Sequence, residues 1–492
     1  MQAKTHPEEL INYLTDASNM PGGYAERVLF PQTAADVAAA LLDASDAGVG
    51  VTIAGARTGT VGGAIPFGGV VISMERMNRI VSIDKAAMTA TVEPGVILAD
   101  LAKAVETEGL FYPPDPTEWS CQVGGTVATN ASGARSFKYG ATRDYVIGLT
   151  LALADGDFLD LSRDENISDE SGQIELVTRG GRTITVRGST YKRPDVRKNV
   201  SGYFNARPFD AIDLFIGSEG TLGVITEIRL KLLPKSESFF SGIVFFARHD
   251  DLLAFVDDAK ALSFDCGVGL GASLIEYFDD RSLAFIHEQF PETPAGMAGA
   301  IFFEQETTAE TEDGLFEAWN TLLEKHHADL DGSWFTTTEQ DREKMRAFRH
   351  ALPVAVNERV VRNGQKKIGT DMAVPDSTFA GFLKYQKQML DASKIDYVIF
   401  GHIGDCHLHA NLLPKDDDEA MRSRHLYGRF VAQAIMVGGT VSAEHGIGKL
   451  KSKYLYVMMG ERYLNEMAEI KRALDPNWIL GRGNLLAVDD LQ

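Results

Sequence analysis

The chain has 492 residues, too many for one hydrophobic core, so about two to four domains are expected. Its 48 Lys and Arg against 69 Asp and Glu leave a net charge of −21, which argues against a nucleic-acid partner but not against a small anion held by one local cation. The three cysteines, Cys121, Cys266 and Cys406, form no CxxC pair, which argues against an iron–sulfur cluster or a four-cysteine zinc site and fits a reducing compartment. There is no apolar leader and no apolar run of membrane-spanning length, so a cytoplasmic protein is expected, with peripheral membrane attachment still compatible.

In chain order, residues 1–30 read as a short helical lead-in ending at Pro21-Gly22-Gly23. Thr33 is a candidate N-cap for a helix carrying Val37, Leu41 and Leu42 on one face. A strand over 49–54 runs into a glycine-rich loop, 55–63. Strands over 70–73 and 90–92 and a helix over 98–108 follow. A second glycine-rich region, 124–140, precedes strands near 146–153. The acidic stretch 161–173 reads as a surface insertion. Strand-like alternation covers 215–233, with Ile225, Ile228, Leu230 and Leu232 as its apolar positions. Beyond Pro234 the texture changes. Helices over 250–262 and 312–325 alternate with strands over 242–246, 300–304 and 397–400, and the last sixty residues are helical until Asp475-Pro476. These elements divide the chain into 1–236, 237–430 and 431–492.

The loop Gly55-Ala-Arg-Thr-Gly59-Thr-Val-Gly62-Gly63 directly follows a strand. Glycines let consecutive N–H groups turn inward around an anion such as a pyrophosphate, although a tight connection without ligand uses them too. The spacing is neither GxGxxG nor a P-loop. The second region packs small residues, hydroxyls and Asn130 together, as a flat ring lying against backbone requires. A third run is Gly217-Ser-Glu-Gly220-Thr-Leu-Gly223.

The three stretches AGARTGTVGG, GGTVATNASG with KYG, and IGSEGTLGVIT resemble the FAD-binding flavoproteins of the vanillyl-alcohol-oxidase type. Within that group the chain is similar to the D-lactate, glycolate and D-2-hydroxyglutarate dehydrogenases, from about residue 30 to its end. The resemblance implies an α+β fold. A two-part FAD domain precedes a substrate domain with an antiparallel sheet, and a helical C-terminal segment returns to the flavin. It implies FAD pyrophosphate on Ala56, Arg57, Thr58, Gly59 and Thr60. The isoalloxazine and ribityl would lie against the segment from Pro114 to Ser120 and against Gly124, Gly125 and Thr126. Asn130, Ser132, Gly133 and Gly220 would complete the pocket, with Val224 or Ile225 at the adenine. Because the first loop has no His or Cys, FAD is expected to be noncovalent, Cys121 being the one residue available for attachment in the second region.

Four of the chain's 11 histidines fall in two short runs, Gly401-His402-Ile-Gly-Asp405-Cys406-His407-Leu-His409-Ala-Asn411 and Ser442-Ala-Glu444-His445-Gly-Ile-Gly448. His407 and His409 alternate as on a strand, and the turn after His402 can fold back beside His409. Two imidazoles and a carboxylate with an open position suit a catalytic divalent metal. A hydrogen-bonded cluster around a buried turn is the other reading. The resemblance assigns the metal, Zn²⁺ or Mn²⁺, to His402, His409 and Glu444, the base to His445, and a substrate contact to Asn411. Where the family has Gly-Asn, this chain has Cys406-His407, which leaves the coordination number and the substrate open. The tail departs as well: Gly481-Arg482-Gly483-Asn484 stands in place of Asn-Pro-Gly-Lys. Arg349 is expected to pair with the substrate carboxylate, and Lys366 and Lys367 are further candidates.

The expected activity is FAD-dependent oxidation of a small D-2-hydroxy acid to the 2-keto acid by hydride transfer to flavin N5. No nicotinamide motif is visible, so the expected oxidant is a quinone, a cytochrome, an electron-transfer flavoprotein or an iron–sulfur partner subunit, and a homodimer is compatible with all of these. Two alternatives are an alkyl-dihydroxyacetone-phosphate-synthase-like flavoenzyme and a flavin-binding relay subunit. A relay has no need of the His445 base.

Overall fold

The structure, a computed structural model, describes residues 1–264 and 270–487; Cys266 lies outside them. Thr33 caps the helix Ala34–Asp46 in a capping box with Asp36, and Val37 and Leu41 are buried on its inner face. This helix follows the strand Arg27–Phe30, which pairs in parallel with Val70–Ser73, and that strand pairs in parallel with Val51–Ala54. The lead-in is not simply helical. Gln2–Lys4 adds an antiparallel edge strand against Arg27–Phe30, with only a short helix at Pro7–Leu10. A three-residue strand is too short to leave a period in the sequence.

The second sheet is antiparallel, in the order Ile80–Asp84, Thr89–Val92, Val224–Lys231, Val146–Ala152, Phe158–Ser162. The stretch 215–233 is not strand throughout: the helix Ala211–Phe215 ends at its start, the glycine run follows, and strand begins only at Val224. Val224, Thr226, Ile228 and Leu230 share the buried face, so the alternation places Ile225, an odd position, on the other face. Residues 161–173 are less peripheral than their polarity suggests, because Leu161 and Ser168 are buried and Ile167 bridges Asp210.

From Ser238 onward the chain builds a seven-stranded antiparallel sheet. The strands run Asp329–Thr336, Ser238–Phe246, Gly299–Thr307, Ala272–Asp279, Tyr397–Gly401, His409–Leu412 and Ile368–Gly369. On Ala272–Asp279 the alternation sends Leu274 and Phe278 into one apolar cluster and Ile275 and Tyr277 into another, so both faces of this strand are covered. The long helix Glu339–Asn363 covers the first face through Phe348, whose ring meets Phe278 edge-on at 5.3 Å. Its internal Pro353 supplies no N–H to the carbonyl of Arg349, four residues back.

The final segment returns to the start of the fold. Val51 N–H donates to the Ile479 carbonyl at 2.7 Å, and Ile479 and Leu480 join the apolar cluster of Val37 and Leu41. The architecture is α+β, as expected. Among the described residues no helix is long and apolar enough to cross a membrane.

Candidate active site

The three glycine-rich stretches converge on one cavity of about 340 Å³, within the size range of cofactor sites. Of the residues expected at a flavin, Ala56, Arg57, Thr58, Gly59, Thr60, Gly124, Gly125, Thr126, Ser132, Gly220, Val224 and Ile225 line it. Strand Val51–Ala54 delivers the first loop, which turns through Arg57 at φ 60°, with the Arg57 guanidinium 4.7 Å from the centre of the Tyr13 ring. A side chain on Gly59 or Gly125 would meet nothing within 4 Å and would project into free space. Gln122 Oε1 lines the same cavity, buried and without a hydrogen-bond partner. Bare backbone beside an orphaned polar atom fits a bound dinucleotide.

Pro114, Ser120, Asn130 and Gly133 do not line the cavity. Pro114 is buried, and Ser120 is exposed and hydrogen-bonded to Glu118. Asn130 adopts the left-handed conformation at the end of helix Val123–Thr129 and accepts the N–H of Arg143 at 2.9 Å. Gly133 abuts the Asp115 carbonyl, where a Cβ would come to 2.1 Å. Pro116, Thr117, Glu118, Cys121 and Gln122 form the cavity wall in this stretch.

Glu444 and His445 line the same cavity and join it to the histidine cluster. Strand Tyr397–Gly401 ends at His402. A single turn, Ile403–Asp405, then reverses the chain through Cys406 at φ 52°, and strand His409–Leu412 pairs back. A left-handed residue at Cys406 explains why a glycine is favoured there. The turn brings His402 Nε2 to 3.4 Å from Glu444 Oε2, and His409 Nε2 to 3.2 Å from Glu444 Oε1. Donor atoms of His402, His407, His409 and Glu444 all lie within 4.8 Å of one another, which fits a divalent ion. A second such group is Asp371, His409 and His445.

Glu444 and His445 serve one site because the chain turns after them, at Gly446 (φ 88°) and Gly448 (φ 50°). Glu219 holds this turn: its carboxylate accepts Ile447 N–H at 2.6 Å and Gly448 N–H at 2.7 Å. Asp371 holds the other side, accepting the N–H groups of Glu444 and His445 at 3.2 and 3.3 Å, the Ser442 hydroxyl at 2.6 Å and the Lys451 ammonium. The His445 ring lies parallel to that of His409, with centroids 5.2 Å apart.

The charges are strongly perturbed. Burial opposes ionisation of Glu444, but Lys198, His402 and His407 outweigh it and hold the carboxyl well below its ordinary value. Burial also opposes the His402 imidazolium, yet Glu276 and Glu444 raise it to about 9. Desolvation in the cavity wall lowers His445 to about 4, despite Asp371, although 37% of its side-chain surface stays exposed to the cavity; the imidazole is neutral near pH 7. Burial lowers His407 to about 3.

Arg349 reaches the site through Glu276. Its Nε lies 3.0 Å from Glu276 Oε2, while the other oxygen of that carboxylate is 2.5 Å from His402 Nδ1. Asn411 is buried on the same strand as His409, and its amide donates to the His409 carbonyl at 3.3 Å. Lys366 is tied to the Asn19 carbonyl, and Lys367 is exposed. Sequence reasoning missed Glu276, Asp371, Glu219 and Lys198, whose ammonium sits 3.1 Å from Glu444 and 3.4 Å from Asp405. A charged residue inside the apolar strand Ala272–Asp279 was a readable signal for Glu276. Lys198 lies in a run of Arg and Lys that reads as solvated.

Residues 25–162 match the model of an FAD binding domain, and residues 243–485 match that of the C-terminal domain of FAD linked oxidases. The glycolate oxidase subunit GlcD of Bacillus subtilis (strain 168) is 30% identical over 488 residues, 97% of this chain and 92% of the relative. A D-lactate dehydrogenase of Anaerostipes hadrus is 32% identical over 463 residues, 92% of this chain and 87% of the relative. The solved 4-ethylphenol oxidase from Gulosibacter chungangensis superposes with a TM-score of 0.69 over 98% of this chain and 94% of its own, at 19% identity, a likeness of fold. With matches along most of its length, the chain belongs to the FAD-linked oxidases, the family of the relatives named glycolate oxidase subunit GlcD and D-lactate dehydrogenase.

Proposed function

We propose that this enzyme oxidises a small D-2-hydroxy acid of the lactate, glycolate or 2-hydroxyglutarate type to the 2-keto acid, passing the electrons on to an acceptor other than NAD. The observation that carries the reading is the shared wall: Glu444 belongs to the histidine cluster and, with His445, also lines the flavin cavity. Relatives named glycolate oxidase subunit and D-lactate dehydrogenase support it.

When bound, FAD supplies the two-electron acceptor for the substrate's Cα hydrogen. A divalent ion, Zn²⁺ or Mn²⁺, held by His402, His409 and Glu444, supplies Lewis acidity toward the α-hydroxy-carboxylate. His445 accepts the hydroxyl proton. It is the group suited to this, since burial keeps its imidazole neutral and Asp371 and the Gly446 turn fix its backbone. Arg349 pairs with the substrate carboxylate through the part of its guanidinium that Glu276 leaves free, and Glu276 holds both Arg349 and His402 in register. Asn411 and Lys367 are secondary substrate contacts in this reading. FAD is held without a covalent bond, because burial pushes the Cys121 thiol up to about 12 and leaves it unreactive. The division into 1–236, 237–430 and 431–492 assigns FAD binding, substrate binding and completion of the site, in that order.

The test is a panel of 2-hydroxy acids, glycolate and both enantiomers of each chiral acid, mixed with the oxidised enzyme without oxygen while the flavin absorbance is followed. A D-acid that bleaches the flavin supports the reading. If no 2-hydroxy acid bleaches it, the reading fails.

A further inference from the structure

His407 is completely buried, on the turn that carries His402 and His409. Its Nε2 lies 3.1 Å from Asp371 Oδ1. Its other ring nitrogen, Nδ1, lies on the side of the cluster, 3.9 Å from Glu444 Oε2, and both ring nitrogens are buried without a hydrogen-bond partner. A buried nitrogen left unpaired costs about 1–3 kcal/mol, so an orphan at the centre of a donor cluster calls for a ligand.

We propose that His407 is a fourth protein ligand of the divalent ion, joining His402, His409 and Glu444 through Nδ1. The proposal rests on the metal reading given above. Three features carry it. The four donor atoms lie within 4.8 Å of one another. The Glu444 Oε2 to His402 Nε2 separation of 3.4 Å is close to the edge of a tetrahedron with bonds of about 2.05 Å, which is roughly 3.3 Å. The Asp371 carboxylate stands 3.1 Å from Nε2, so Nδ1 is the ring nitrogen turned toward the other donors. The consequence is selectivity. Three imidazoles and one carboxylate favour Zn²⁺, whereas an oxygen-rich set with fewer imidazoles leaves Mn²⁺ competitive.

The experiment uses the FAD-loaded enzyme, stripped of metal by a chelator and reloaded with Zn²⁺ or Co²⁺. Zn²⁺ affinity is read by competition with a chromogenic chelator, and the Co²⁺ form by its visible ligand-field bands. His407→Asn is expected to keep its flavin but to bind Zn²⁺ more than about 100-fold more weakly, beyond the roughly 10–100-fold that loss of an outer-shell partner costs. Its Co²⁺ bands should weaken toward those of a six-coordinate ion. X-ray absorption on wild-type zinc enzyme should count three imidazoles, a readout that needs no variant to fold. Two imidazoles, or unchanged affinity and bands in His407→Asn, would overturn the fourth ligand while leaving the ion in place. A wild-type enzyme that takes up no stoichiometric ion overturns the metal reading itself, and this proposal with it.

Discussion

Glu219→Gln should slow flavin reduction without touching a residue assigned to the chemistry. Both oxygens of Glu219 are in use, one on Ile447 N–H at 2.6 Å and one on Gly448 N–H at 2.7 Å. The amide keeps one acceptor and presents an N–H to the other donor, so one hydrogen bond to a charged acceptor is lost, worth about 1.5–3 kcal/mol. The turn released carries Glu444 and His445. A shift of about 1 Å in a positioning group costs on the order of 100-fold in rate, so a slowing of roughly 10- to 100-fold is expected. Because Glu219 also lines the flavin cavity, the assay is anaerobic stopped-flow reduction at saturating added FAD, with flavin content measured in the same sample. Glu219→Ala leaves both donors without a partner and should lose more. A Glu219→Gln enzyme with full flavin and the wild-type reduction rate would refute the idea that this carboxylate positions the base.

Acid precipitation should release FAD rather than FMN, since the first glycine loop is shaped for a pyrophosphate; recovery of FMN alone would contradict the cavity assignment. His445→Gln should retain FAD and metal but reduce its flavin roughly 10²–10⁴-fold more slowly, and an unchanged rate would remove His445 as the base. A base must be deprotonated to act, and desolvation lowers His445 below the ordinary imidazole value, so the acid limb of kcat/KM should lie well below 6.5; an acid limb near 6.5 would indicate an ordinary imidazole. Arg349→Lys keeps the charge but loses the planar fork, so KM for the hydroxy acid should rise while the FAD content stays constant; unaltered kinetics in Arg349→Ala would take this residue out of the site.

What the sequence made legible was whatever is local. The three glycine runs show themselves because bare backbone has to approach a ligand, and His402 and His409 because a short turn brings them together. Glu444 and His445 could be placed at one site from Gly446 and Gly448, whose positive φ values supply the turn. The supports were not legible. Glu219 and Asp371 act on a loop more than seventy residues away in sequence, and Glu276 reaches His402 only through the pairing of Ala272–Asp279 with Tyr397–Gly401. Period-based reading failed similarly over 215–233, where a helix end and a glycine loop precede a strand that begins only at Val224. Ser120, Asn130 and Gly133 lie in the same motifs as the cavity's lining residues, and their polar or close contacts are with Glu118, Arg143 and Asp115.

The central claim is most directly tested by a single turnover without oxygen, with the enzyme in excess over the D-2-hydroxy acid that bleaches the flavin best. One 2-keto acid should form per flavin reduced, from the D-enantiomer alone, and His445→Gln should slow both events equally. Flavin that bleaches without keto acid appearing, or keto acid that forms while the flavin stays oxidised, would contradict it.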